Sequence, residues 1–288
     1  MIETETAPHP SLPGSRPEAP TVRDDETLPP APPERPLVDA VTTLLNRVGT
    51  AALMAATIGR ELRRPRAWVD SALQQAWVMG IRSLPLVVVI SVLGGAVTSQ
   101  QSGAQFSGGV PLWVIGSIST ASILTELGPI LTGMVLVGRI GAAIAAELGS
   151  MKVTEQIDAL RAMGRDPYAY LVVPRVVAGF LVVPPLIILS DAASLFAAWA
   201  VALVAVPGMT SATFIYGVRF YFYPFALIFS VLKGMSFGLA ITFLACMIGL
   251  EGEGGAEGVG RTTTAAVVAT TLALLIIDVM FAPLLRYF

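Results

Sequence analysis

Residues 113–137 read WVIGSISTASILTELGPILTGMVLV, an apolar run broken by a single charge, Glu126, in the string Glu126-Leu127-Gly128-Pro129. A helix of this length bridges a hydrocarbon core of about 30 Å. A carboxylate at such depth costs about 2.5–3.5 kcal/mol on insertion scales and persists where it faces protein or a watery cavity. The stretch therefore predicts a transmembrane helix and makes Glu126 the first candidate for function.

The rest of the chain follows the same pattern. With 54% hydrophobic and 13% charged residues and a mean hydropathy of +0.72, it lies outside the soluble range and reads as an integral membrane protein. Five apolar spans are expected, at 83–100, 111–137, 174–206, 224–249 and 264–285, giving an all-α fold. The third span exceeds one straight crossing and contains Pro184, Pro185 and Asp191. A kink or helix break near its middle is expected, with its outer part as a separate short helix.

Residues 1–36 contain ten prolines and few apolar side chains, a composition that predicts a disordered tail. The tail lacks a basic region followed by an apolar stretch, so it does not read as a cleavable signal peptide. From 37 to 80, Leu44, Leu45, Val48, Ala52, Leu53 and Ile58 recur at helical spacing before the cluster Arg60, Arg63, Arg64 and Arg66. Two readings fit: a helix lying in the membrane interface, its arginines toward an anionic leaflet, or a cytosolic helix packed on a partner. The transmembrane region then occupies 81–288.

Lysine and arginine counts set the expected orientation. Arg60, Arg63, Arg64, Arg66 and Arg82 cluster just before the first span, whereas the loop at 98–110 carries no charge, so the amino terminus is expected inside. The loop after span two, with Lys152, Arg161 and Arg165 between Arg139 and Arg175, is expected inside as well. Five crossings put the carboxyl terminus outside. In the inner loop Ser150 is expected to cap a helix that Gly164 and Pro167 stop. Lys152, Glu155, Asp158 and Arg161 would form its charged outer face, with Met151, Ile157 and Leu160 inward. That face is either simply solvated or a docking surface for a cytosolic subunit.

Several chemistries are excluded for want of parts. The net charge of −2 without a basic block argues against nucleic acid. One histidine, His9, and one cysteine, Cys246, leave no His/Cys metal site, intrachain disulfide or intramembrane Ser/His dyad. Residues 255–262 read G-x-x-x-x-G-R-T, one residue from a phosphate-binding loop. Arg261 replaces the lysine, and a transmembrane helix rather than a strand precedes it, so no cofactor is expected in this chain.

Besides Glu126, two charges fall within apolar spans: Lys233 in the fourth and Asp278 in the fifth. Opposite charges at depth pair, and Glu126 with Lys233 is the expected couple. Arg139 and Glu147, two turns apart near the inner end of span two, read as structural. A rival reading makes Asp191 and Asp278 the dyad of an intramembrane aspartyl protease, although neither lies in a Tyr-Asp or Gly-x-Gly-Asp context. An ion-driven secondary transporter is a third, for which no internal repeat is visible.

An ordered series of motifs carries a more specific resemblance. Glu126-Leu127-Gly128-Pro129, the run from Gly138-Arg139 to Glu147-Leu148-Gly149, the run from Thr154-Glu155 to Ala159-Leu160, Asp166-Pro167 and Val173-Pro174-Arg175 resemble the MlaE (YrbE) family of permeases. The stretch from Gly254 to Val268 resembles that family's second cytoplasmic loop, and the likeness spans about residues 80–288. It implies that 37–288 is a permease domain of an MCE-type ABC transporter in the bacterial inner membrane. The carboxyl terminus would then be periplasmic. It further implies a homodimer that moves phospholipid or another hydrophobic lipid between that membrane and a periplasmic MlaD-like MCE protein. A cytosolic MlaF-like ATPase would bind the ATP and magnesium, and residues 151–163 would be the coupling helix resting on it. Glu126, Lys233 and Asp278 fall at polar positions of the family pattern; they would form a gate or headgroup contact at the base of a lipid cavity, or an ion pair that fixes helix register.

Overall fold

Long apolar runs allow few ways to satisfy the backbone in lipid, and the chain takes the helical one. The computed structural model describes residues 36–105, 109–252 and 254–287. The expected tail at 1–36 lies outside them except for Pro36. Among the described residues eight helices carry the fold: α1 (Pro36–Glu61), α2 (Val69–Gln105), α3 (Trp113–Val153), α4 (Gln156–Ala162), α5 (Tyr168–Ala205), α6 (Ser211–Tyr221), α7 (Pro224–Glu251) and α8 (Gly255–Phe281). Five of them, α2, α3, α5, α7 and α8, are long and apolar enough to cross a membrane. The chain from Arg47 onward forms one unit, described below.

Small residues set the helix contacts. Along α2, a Cβ on Gly95 would overlap the backbone of Ser194 in α5, and Ser91 donates to Ser190 Oγ at 2.6 Å while Ser194 donates to the Ser91 carbonyl at 2.9 Å. Gly179 of α5 and Gly238 of α7 meet backbone to backbone, and Gly234 rests on Pro184. Such close approach is how helices associate where lipid is as apolar as leucine. Between α3 and α8 the core continues through Leu136, Ile144, Phe237 and Leu274. At the other end Ile115, Ala198, Val206 and Phe214 form a second cluster.

Several sequence expectations need correction. No single helix fills 37–80: α1 stops at Glu61, a 3-10 turn follows at Pro65–Ala67, and α2 begins at Val69, well before the apolar run at 83. Pro65 sits in the first turn of that 3-10 segment, where its missing N–H has no partner to lose. The third span does not break at Pro184-Pro185; α5 runs helical from Val173 to Ala205, with Pro184 buried against Gly234 of α7 and Pro185 exposed. The separate short helix is α6, which lies beyond the span. Helix α3 continues to Val153, so Ser150 lies inside its last turn, where the Ser150 carbonyl accepts from Thr154 N–H. The expected helix at 151–163 is thus split between the end of α3 and α4.

Outward faces of the spans stay apolar. Trp77, Leu93 and Val97 of α2, Phe196 and Val204 of α5, and Ile276 and Val279 of α8 are all exposed, as suits helices whose solvent is hydrocarbon. Helix α6 packs its Gly217 onto Trp113 of α3 and leaves Tyr216 and Phe220 on its open side against the Trp113 ring.

Candidate functional site

Pro129 explains why a lysine can sit inside this bundle. It has no N–H to offer the carbonyl four residues back, that of Thr125, and the helix around it widens into a π turn at Ile123–Leu127. The freed Thr125 oxygen accepts from Lys233 Nζ at 2.8 Å. Lys233, nine residues after Pro224 on α7, is fully buried. Its Nζ also donates to Glu126 Oε2 at 2.8 Å and lies 2.8 Å from Asp278 Oδ1 on α8. The Asp278 contact is an ion pair lying off the direction of a hydrogen bond. The Phe229 ring, 5.1 Å from Nζ, covers another side of the ammonium.

The expected Glu126–Lys233 pair is therefore present, and Asp278 completes a triad drawn from three spans. Its members are unequally open: Lys233 is sealed, Asp278 is 19% exposed and Glu126 is 40% exposed by side chain. The triad shows one carboxylate outward and holds its cation within. Three formal charges sum to −1, so the lysine neutralises only one of its two partners.

Asp191 belongs to a neighbouring layer. It accepts from Ser230 Oγ at 2.6 Å, one turn before Lys233, and its other oxygen lies against Gly128, where a Cβ would overlap it. That second oxygen is buried without a hydrogen-bond partner among the described residues. Asp191 and Asp278 thus have different partners, a hydroxyl and an ammonium, and the geometry gives no support to a shared-proton dyad. Gly128 is required here because it lets α3 approach α5 at this carboxylate.

The other expected residues lie at the α4 end. Lys152 is partly buried in the last turn of α3, whereas Glu155, Asp158 and Arg161 are exposed. Glu155 takes a left-handed conformation, φ 59°, between the two helices, and Asp158 pairs with Arg161 at 2.9 Å. Ile157 is buried, with Met151 and Leu160 partly so, as the spacing predicts. Glu147 pairs with the buried Arg175 at 2.8 Å, and Arg175 also donates to the Leu171 carbonyl. Arg139 is exposed on α3 and is not Glu147's partner. At the start of α8, Gly254 and Gly255 have positive φ, and the helix α7 stands where a nucleotide-binding loop has a strand.

Sequence reading did not place Thr125 in the site. The available signal was Pro129, four residues on, which marks a carbonyl without a helical donor.

Comparison with known proteins agrees with the fold. The family described as Permease MlaE matches residues 72–284. A probable ABC transporter permease protein of Rickettsia felis is 33% identical over 237 residues, covering 82% of this chain and 91% of its own. One from Synechocystis is 36% identical over 209 residues, 72% of this chain and 78% of its own. The chloroplastic protein TRIGALACTOSYLDIACYLGLYCEROL 1 of Arabidopsis thaliana is 34% identical over 208 residues, 72% of this chain and 59% of its own. This multi-pass membrane protein therefore belongs to the MlaE permease family.

Proposed function

We propose that the chain is the membrane subunit of an ABC transporter that moves phospholipid or a similar lipid between the bacterial inner membrane and a periplasmic MlaD-like MCE protein. It works as a homodimer, with ATP and magnesium bound by an MlaF-like ATPase. The observation that carries this reading is the triad. A sealed Lys233 between Glu126 and Asp278, with Glu126 partly open, gives three spans a polar contact able to meet a lipid headgroup and to change partners as the helices move. Helix α4 fits the ATPase contact, since it presents Glu155, Asp158 and Arg161 beside the exposed Met163. The exposed Val48 and Leu53 of α1 fit a helix lying in the interface. Arginine placement favours a cytoplasmic amino terminus and a periplasmic carboxyl terminus.

The test is transfer of a fluorescent phospholipid from vesicles to the MCE partner by the reconstituted complex. Glu126→Gln keeps the shape of the side chain while removing its charge. It should lower ATP-dependent transfer by about tenfold, the scale of one charged hydrogen bond, with membrane insertion unchanged. Full transfer by this variant would remove the triad from the mechanism. Transfer without ATPase or ATP would instead favour an ion-driven carrier.

A further inference from the structure

We propose that Arg82 and Arg139 form a binding site for the phosphate of an anionic phospholipid headgroup, with the lipid's chains laid along an adjoining apolar groove. Arg82 immediately precedes the apolar run of α2, and Arg139 follows that of α3 by two residues. The two helices run in opposite directions, so both arginines fall at the same end of the bundle. Together with Gln75, Ser83 and Glu147 they line one cavity of about 190 Å³.

Both guanidinium groups are exposed, and among the described residues neither makes an ion pair. The carboxylate in the cavity, Glu147, is drawn instead onto Arg175 at 2.8 Å. Two uncompensated cations at the end of membrane spans need an anion, and the planar guanidinium matches phosphate through paired N–H donors. A second cavity, of about 630 Å³, shares Arg139 and Ala143 with the first, and its lining includes Leu86, Ile90, Met134 and Val135. Gly138 lines it too, and a Cβ there would meet nothing within 4 Å. A cationic cavity beside an apolar groove, with Arg139 common to both, suits an amphiphile better than a free ion. Arg60, Arg63, Arg64 and Arg66 precede α2 at the same end, which places the site on the anionic leaflet by charge.

This place is separate from the triad, because Arg139 lies thirteen residues past Glu126, about 20 Å along the helix. A lipid here is held whether or not the protein moves it, so retention and transfer can fail independently.

The full chain, purified and equilibrated with mixed micelles of phosphatidylglycerol and phosphatidylcholine, is examined by native mass spectrometry. Wild type should retain phosphatidylglycerol in preference to phosphatidylcholine. Arg82→Gln/Arg139→Gln should lower that preference by about tenfold, the loss expected when charge-assisted hydrogen bonds go, with the melting temperature unchanged. Each single substitution should give a smaller drop, which serves as the readout should the double variant fail to fold. Millimolar inorganic phosphate should leave the lipid in place; its displacement by phosphate alone would make this a free-anion site and overturn the lipid assignment. Equal preference in wild type and variants would overturn it as well.

Discussion

Lys233 Nζ bonds the carbonyl oxygen of Thr125 at 2.8 Å, taking the place of the backbone N–H that Pro129 lacks. A proline in α3 thereby creates an acceptor that a lysine from α7 uses, and the same lysine gathers Glu126 and Asp278. The substitution Pro129→Ala separates the two halves of this arrangement. Alanine favours a helix interior over proline by about 3 kcal/mol, while the charged hydrogen bond to the carbonyl is worth about 1.5–3 kcal/mol. These nearly offset, so the melting temperature of the detergent-purified protein should move by only a few degrees. Lipid transfer should fall several-fold, because the new N–H competes with Lys233 for Thr125. Unaltered transfer would show that the freed carbonyl has no part in the mechanism.

Lys233→Met leaves two carboxylates facing each other without their cation. Removing one partner of a buried ion pair typically costs about 3–5 kcal/mol. Glu126 is 40% exposed and can recover some solvation, so the loss should lie near the lower figure. Combining Lys233→Met with Glu126→Gln and Asp278→Asn should recover most of it, since no uncompensated charge then remains. Thermal unfolding of the three proteins gives the comparison; a Lys233→Met variant as stable as wild type would mean that the carboxylates do not depend on the lysine.

The spans were legible because length and apolarity suffice to specify them, and Glu126, Lys233 and Asp278 stood out as charges that such runs exclude. What joins them was less legible. That Asp278 shares Lys233 with Glu126 depends on the rotation of α8 about its axis, and apolar residues all round a helix conceal its rotation. The position of α6, beyond the third span rather than within it, was not legible because Ser211–Tyr221 is short and mixes aromatic with polar residues. Its docking depends on Gly217 meeting Trp113, a contact some hundred positions apart in sequence. The break before α4 went unseen because Glu155, a poor residue for positive φ, occupies the turn. Pro184 and Pro185 misled in the opposite direction, since packing of Pro184 against Gly234 holds α5 together where an isolated helix would yield.

Gly95→Ala tests the α2–α5 contact. The added Cβ would overlap the Ser194 backbone, which cannot rotate aside, and forced overpacking costs about 1–3 kcal/mol. Gly59→Ala in α1 is the matched control: nothing lies within 4 Å of its Cβ position, and alanine gains about 0.5–1 kcal/mol in a helix. The first variant should melt below wild type and the second at or above it. The opposite order would show that α2 and α5 can separate without loss.

Charge reversal on α4 distinguishes a docking face from a solvated one. Asp158 and Arg161 are exposed and paired at 2.9 Å, and such pairs contribute no more than about 1 kcal/mol. Glu155→Lys with Asp158→Lys should therefore leave the melting temperature of the permease almost unchanged. If the ATPase rests on this helix, the same change places like charges across the contact, and co-purification should fall well beyond the change in stability. Glu155→Gly separates conformation from charge. Glycine relieves the left-handed strain at φ 59°, worth about 1–2 kcal/mol, so this variant should melt higher and still retain the ATPase through Asp158 and Arg161. Undiminished capture of the ATPase by the doubly reversed protein would mean that these charges do nothing but face water.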